Sequence, residues 1–166
     1  DIKLLQKTTK VIGNNFSALI DRDRRHLSSL ANILSHYDAY SSVQVLNVLS
    51  SPSDSNLISE ICILLPNDVV VRRDGQFVNV RGILSYDEES AQGWHITTRT
   101  ISFFQDYDAV VRHYVPIIKD GKTVAMLYAI INLNHLNSTL ADKLLLDDKS
   151  QLYVFDGKSG DMLLDT

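Results

Sequence analysis

The spacing of apolar positions divides the chain into a helical first quarter and a strand-rich remainder. Between residues 1 and 37, Leu4, Leu5, Val11, Ile12, Phe16, Leu19, Ile20, Leu27, Leu30, Ile33, Leu34 and Tyr37 recur at steps of three and four, which predicts one long helix. No proline interrupts it, and Gly13 is its weak point. At ~1.5 Å per residue such a helix is roughly 55 Å long. That is more than one face of a sheet in a domain of this size can cover. Its early half is therefore expected to project beyond the globule, toward a partner helix or a membrane anchor. Residues 41–50, SSVQVLNVLS, suit a second, short helix with Ser41 or Ser42 as its N-cap. Ser50-Ser51-Pro52-Ser53-Asp54-Ser55-Asn56 is the clearest loop signal.

From residue 58 the pattern becomes that of strands. Ile58–Leu65 reads as a strand, and Val69–Val71 and Phe77–Val80 flank Arg72-Arg73-Asp74-Gly75, an Asp-Gly hairpin. Tyr86–Gln92 favours a short helix or ordered loop closed by Gly93. His95–Phe104 reads as a strand and Gln105–Asp108 as a turn. The strongest signal is Ala109–Leu133, AVVRHYVPIIKDGKTVAMLYAIINL, where β-branched runs flank Lys119-Asp120-Gly121-Lys122. This predicts a long central hairpin, irregular or edge-facing at Pro116, which has no N–H to donate. With Asp120-Gly121 as a two-residue turn, Lys119 faces Lys122, Val115 faces Met126 and His113 faces Tyr128. The face of Tyr128 and Ile130 then also carries Val111, His113 and Val115, and Ala125 and Ala129 fall on the other. A bulge at Pro116 swaps the assignment to Arg112 and Tyr114. Leu133–Leu146 reads as a helix, and Gln151–Phe155 with Met162–Leu164 as a last hairpin.

At 166 residues one domain with a real core is expected, and 45% hydrophobic and 22% charged residues are ordinary for a globular protein. A net charge of −4 without a basic tract gives no reason to expect nucleic acid. The single cysteine, Cys62, excludes an intrachain disulfide and a cysteine-based zinc site, and reads as a buried small hydrophobe. No run approaches the ~18 apolar residues of a membrane span, and no signal peptide is visible. The five histidines lie too far apart for a local ligand pair. Nucleotide-binding, zinc-protease and nucleophile-elbow motifs are all missing, so neither a cofactor nor a metal is expected. Asp87-Glu88-Glu89 reads as a solvated helix start, without the spacing of a calcium loop. Arg22, Arg24, Arg25 and His26 read as a solvated helix face, with an anion or lipid contact as the alternative.

The stretch VRHYVPIIKDGKTVAMLYAIINLNHL resembles the final hairpin of the extracytoplasmic Cache sensor domains, the PAS-like sensors of bacterial receptors. The order of elements is similar to the membrane-distal half of a double Cache domain, and LYVFDGKSGDMLLDT looks like the first hairpin of the membrane-proximal half. The resemblance implies an α+β fold: a long N-terminal helix (1–37) packed on a PAS-like antiparallel sheet, a sensor domain over 38–146, and the start of a second subdomain at 147–166. It further implies a ligand pocket on the sheet face opposite the helix, roofed by residues 81–108. Such domains bind small molecules such as amino acids, carboxylates, amines or sugars. They sit on the extracytoplasmic, periplasmic side of a membrane receptor, ahead of histidine kinase, chemoreceptor or GGDEF/EAL (diguanylate cyclase) output. Where amino-acid-binding members place an acid near the end of the second hairpin strand, this chain has Ile130, and their Arg-x-Trp-Tyr pattern is missing from 81–108.

Strand parity then nominates His113 and Tyr128 for the pocket, and the roof adds Trp94, Arg99, Phe104 and Tyr107, whose aromatic and guanidinium groups supply area and directional bonds. Two other readings stand beside a sensor anchored by flanking segments. One is a dimerisation module in which the N-terminal helix pairs with its copy and binds no small molecule. The other is a hydrolase or transferase with a dispersed site.

Overall fold

A computed structural model describes residues 2–51, 57–97, 100–101, 109–132, 153–155 and 162–165. The predicted helix Leu133–Leu146, the turn 105–108 and the turn 156–160 lie outside the described residues, as does most of the loop 50–56.

The first helix, α1, runs from Ile2 to Leu34. Its buried side chains, Asp23, Leu27, Leu30, Ala31 and Leu34, all lie from residue 23 onward, and none described between residues 2 and 20 is buried. The early half therefore carries apolar side chains into solvent, Ile2, Leu4 and Val11 among them. A short α2, Val43–Leu49, follows, its first turn closed by the Ser42 hydroxyl, which accepts the Val45 amide proton.

The sheet is built of β1 (Ile58–Leu65), β2 (Val69–Val71), β3 (Phe77–Asn79), β4 (His95–Ile96), β5 (Thr100–Ile101), β6 (Ala109–Lys119) and β7 (Lys122–Asn132). Its order is β3-β2-β1-β7-β6-β4, with β5 also pairing β6, and every described pairing is antiparallel. Between β3 and β4 lies α3, Tyr86–Ala91, capped by Ser85 and carrying Asp87, Glu88 and Glu89 in its first turn, where the helix dipole favours negative charge. The final strands β8 (Tyr153–Phe155) and β9 (Met162–Asp165) pair with each other in a separate two-stranded sheet. The predicted strand His95–Phe104 is realised as the two short strands β4 and β5.

The central hairpin turns through Asp120 and Gly121, whose φ angles of 51° and 74° are the two positive values that a tight two-residue turn demands. Lys119 pairs with Lys122, as the pattern predicts. The register then shifts between Ile117 and Ile118: Ile118 pairs with Thr123 but Ile117 with Ala125, so Val124 is an extra residue in β7. Beyond the bulge Val115 faces Leu127, and Tyr114, not His113, faces Tyr128. Pro116 stands past the ends of β4 and β5, where one side of β6 is an open edge and a missing N–H is tolerated.

The bulge sorts the core into two layers. Val115, Ile117, Ala125, Leu127, Ala129, Ile61, Ile63 and Val71 pack against Leu27, Leu30, Ala31 and Leu34 of α1 and Val45 and Leu49 of α2. The small Ala125 and Ala129 lie in this layer, where they let the helix approach. Cys62, Leu64, Val70, Val80, Leu84, Tyr86, Val110, Tyr114, Met126, Tyr128 and Ile130 form the layer on the opposite face.

Candidate functional site

Pairing places side chains of the opposite face in rows across the strands. Arg112, Ile130 and Glu60 stand abreast on β6, β7 and β1. In the next row His95 faces Tyr114, Tyr114 faces Tyr128, and Tyr128 faces Cys62. Successive residues of a strand alternate faces, so all of these point away from α1. The far rows of this face, with Leu64, Val70 and Met126, are apolar core. The polar end is the candidate site.

Glu60 is buried, with 1% of its side chain exposed, and Arg72 grips it bidentately: Nε donates to Oε1 at 2.9 Å and Nη2 to Oε2 at 2.8 Å. This planar fork is the geometry in which a carboxylate survives burial. Arg112 is 4% exposed in the same row. Its backbone is held from β4, since its amide donates to Thr97 Oγ1 at 2.9 Å and its carbonyl accepts from the Thr97 amide at 2.9 Å. A negative side chain therefore stands across Ile130 from a positive one, each supplied by a neighbouring strand.

The two tyrosines are fully buried, with ring centroids 5.0 Å apart. Neither hydroxyl donates to an oxygen or nitrogen among the described residues, and Tyr128 has the Cys62 thiol beside it. Burial pushes both phenols well above their ordinary range, and the Cys62 thiol likewise, so all three stay protonated. Two phenol donors are thus buried side by side, Tyr114 without a partner and Tyr128 beside a weak sulfur acceptor. At the edge of the row the His95 ring stacks on Tyr114, centroids 4.8 Å apart and planes 12° apart. Its Nε2 lies 2.6 Å from Glu89 Oε2 and its Nδ1 2.8 Å from the Gly93 carbonyl. Across the same face Tyr86 donates its hydroxyl proton to the Thr123 carbonyl at 3.0 Å, and its amide donates to Asp68 Oδ1 at 2.9 Å, tying α3 to the sheet.

The residues nominated from the sequence are divided between the two faces. Tyr128 lies in the tyrosine row. His113 does not: the bulge at Val124 turns it to the α1 face, where it is fully buried. There Trp94 Nε1 donates to His113 Nε2 at 2.6 Å, and the Arg24 guanidinium of α1 lies 4.1 Å from the Trp94 ring centroid. Burial, then the charge of Arg24 and His95, lowers the His113 pKa to about 4, so the ring is neutral. Arg99, Phe104 and Tyr107 lie outside the described residues. On the α1 side Arg24, Ser28, Ala31, Asn32, Trp94, Val115, Pro116 and Ile118 line an open groove of about 340 Å³. The buried polar row is on the other face.

Glu60, Arg72, His95 and Glu89 are participants that the sequence reading passed over, and Arg112 and Tyr114 entered it through the bulged alternative alone. The signal for Glu60 was a lone charge inside ISEICILL, in step with the buried Cys62 and Leu64 that follow it at period two.

The architecture is that of the ligand-binding sensory domains of bacterial chemoreceptors. The ligand-binding domain of the amino acid chemoreceptor PctC of Pseudomonas aeruginosa PAO1, in complex with GABA, matches with a TM-score of 0.74 at 15% identity, over 98% of this chain and 74% of that one. The ligand-binding domain of the Pseudomonas fluorescens chemoreceptor CtaA, in complex with L-alanine, matches with a TM-score of 0.74 at 15% identity, over 99% of this chain and 72% of that one. The sensory domain of the Campylobacter jejuni chemoreceptor Tlp3, with isoleucine bound, gives a TM-score of 0.69 at 15% identity, over 98% and 69%. No protein-family model and no curated protein matches the chain.

Proposed function

We propose that this chain is the small-molecule-sensing module of a membrane receptor and that its ligand binds on the sheet face turned away from α1. The observation that carries the reading is the pair of buried hydroxyls of Tyr114 and Tyr128, neither spent on an oxygen or nitrogen among the described residues, set beside Arg112 and the Glu60–Arg72 pair. A buried donor without a partner costs roughly 1–3 kcal/mol, and a ligand acceptor placed there recovers it. The shared fold with sensory domains that hold GABA, L-alanine or isoleucine supports a small-molecule ligand. Because Ile130 stands where an acid grips the ligand ammonium in amino-acid-binding members, Glu60 is the nearest acid in its row, and it is already committed to Arg72. Arg99, Phe104 and Tyr107 would complete the site from the roof segment. In this reading the module lies on the extracytoplasmic side, is anchored by flanking segments, pairs with a second copy through α1, and feeds a kinase, chemoreceptor or cyclase output. Strands β8 and β9 open its second subdomain.

A thermal-shift panel of amino acids, GABA, small carboxylates, amines and sugars tests the proposal. One chemical class should stabilise the domain, by about 2.7 kcal/mol at ~100 times its dissociation constant. Tyr128→Phe should weaken that ligand about fivefold while leaving the free domain nearly as stable, because the lost hydroxyl has only the Cys62 thiol beside it. A panel without a single hit, or a hit untouched by Tyr128→Phe and Tyr114→Phe, overturns the placement of the site.

A further inference from the structure

Trp94 and His95 are consecutive at the sheet edge and therefore grip opposite faces. His95 holds the tyrosine face through its stack on Tyr114 and its bond to Glu89. Trp94 holds the α1 face through the hydrogen bond to His113 and the Arg24 guanidinium over its ring. Beneath them the same alternation runs through β6, where His113 and Tyr114 are themselves consecutive and pair with Ile96 and His95. Two adjacent dipeptides thus each send one side chain to the candidate site and one to the long helix.

The strand that begins at His95, directly after Trp94, is two residues long and among the described residues pairs with β6 alone. Two bonds between Thr97 and the Arg112 backbone extend so short a ladder, and the side-chain anchors on the two faces add to them in setting where it sits. We propose that the Trp94–His95 pair is the coupling element between the tyrosine face and α1. A rearrangement at Tyr114 that displaces His95 shifts Trp94 with it and alters the Arg24 contact that ties the edge strand to the helix. His95 and Trp94 are positioning residues in this scheme. The coupling rests on the proposed function for its biological meaning, but its physical content does not require a ligand.

Trp94 is the single tryptophan of the chain, so its emission reports on this unit alone. Glu89→Ala removes an anchor of His95 on the tyrosine face without touching α1. Its expected result is a shifted Trp94 emission maximum, greater quenching by acrylamide, and faster amide exchange in α1 around residues 24–32. Glu88→Ala, at an exposed neighbour on the same helix, should change none of these. Coupling is reciprocal, so the reverse experiment uses Arg24→Met, an exposed position that leaves the core intact. It should accelerate exchange of the Thr97 amide, which bonds the Arg112 carbonyl, about threefold, the scale of an exposed cation–π contact. If Glu89→Ala behaves as Glu88→Ala and Arg24→Met leaves Thr97 protected, the coupling is refuted. A ligand panel without hits would count against the sensor reading and leave both of these measurements standing.

Discussion

His113 shows what a single buried ring can commit a fold to. Its Nε2 accepts the Trp94 indole proton, so the neutral ring carries its own proton on Nδ1, which is buried without a hydrogen-bond partner among the described residues. A second proton would place a donor against a donor, beside Arg24. The folded pKa of about 4 lies below the ordinary 6.5, so this group's contribution to stability is whole above pH 6.5. Between those values the unfolded chain binds a proton that the folded chain refuses, and stability falls as the pH falls. The loss amounts to about 3 kcal/mol from pH 7 to pH 4. In chemical denaturation His113→Gln, which keeps an acceptor for Trp94, should lose correspondingly less over that range. Equal pH dependence in the two proteins would contradict the assignment. None of this could be read from the sequence, because His113 looks the same on either face. Its placement depends on whether the hairpin is bulged.

The same dependence governs the elements. The Asp-Gly turn, the Ser42 cap, the first strand and the short helix after Ser85 were legible, because each follows from local backbone chemistry within a few residues. The register of β6 on β7 was legible at its turn and lost at Val124: Pro116 announces an irregularity nearby, but not that the extra residue lies in the facing strand. One extra residue flips every side chain beyond it. It exchanged His113 and Val115 for Arg112 and Tyr114 on the face turned away from α1. Between β1 and the end of β2, Glu60 and Arg72 form a pair whose two halves were visible singly and whose meeting was not. Glu60→Ala strands a largely buried guanidinium and should lower stability by about 3 kcal/mol, whereas replacing both residues by Leu and Met should recover most of it. Denaturation midpoints of the single and double variants decide this. A double variant as unstable as the single one would show that the row needs its charges for more than mutual compensation.

For the molecule as a whole, the division of α1 matters most. Its last third is core and its early part carries Ile2, Leu4 and Val11 into solvent. Removing residues 1–15 should therefore leave the melting temperature nearly unchanged while abolishing self-association. Sedimentation velocity on the two forms measures this, and a monomer at high concentration in both would remove the dimer from the proposed function. The sheet's wiring has a further consequence, for the order of folding. Its middle is a hairpin closed by a two-residue turn, a contact that forms on the microsecond scale. Strand β1 joins that hairpin from seventy residues up the chain, Glu60 against Ile130, and must first close a long loop. Arg112, Tyr114 and Tyr128 are therefore positioned early, and Glu60 and Arg72 late. The proposed recognition surface is complete only once this last non-local docking has occurred. A bound ligand would then act chiefly as a brake on unfolding, holding together two regions of sequence that meet nowhere else in time.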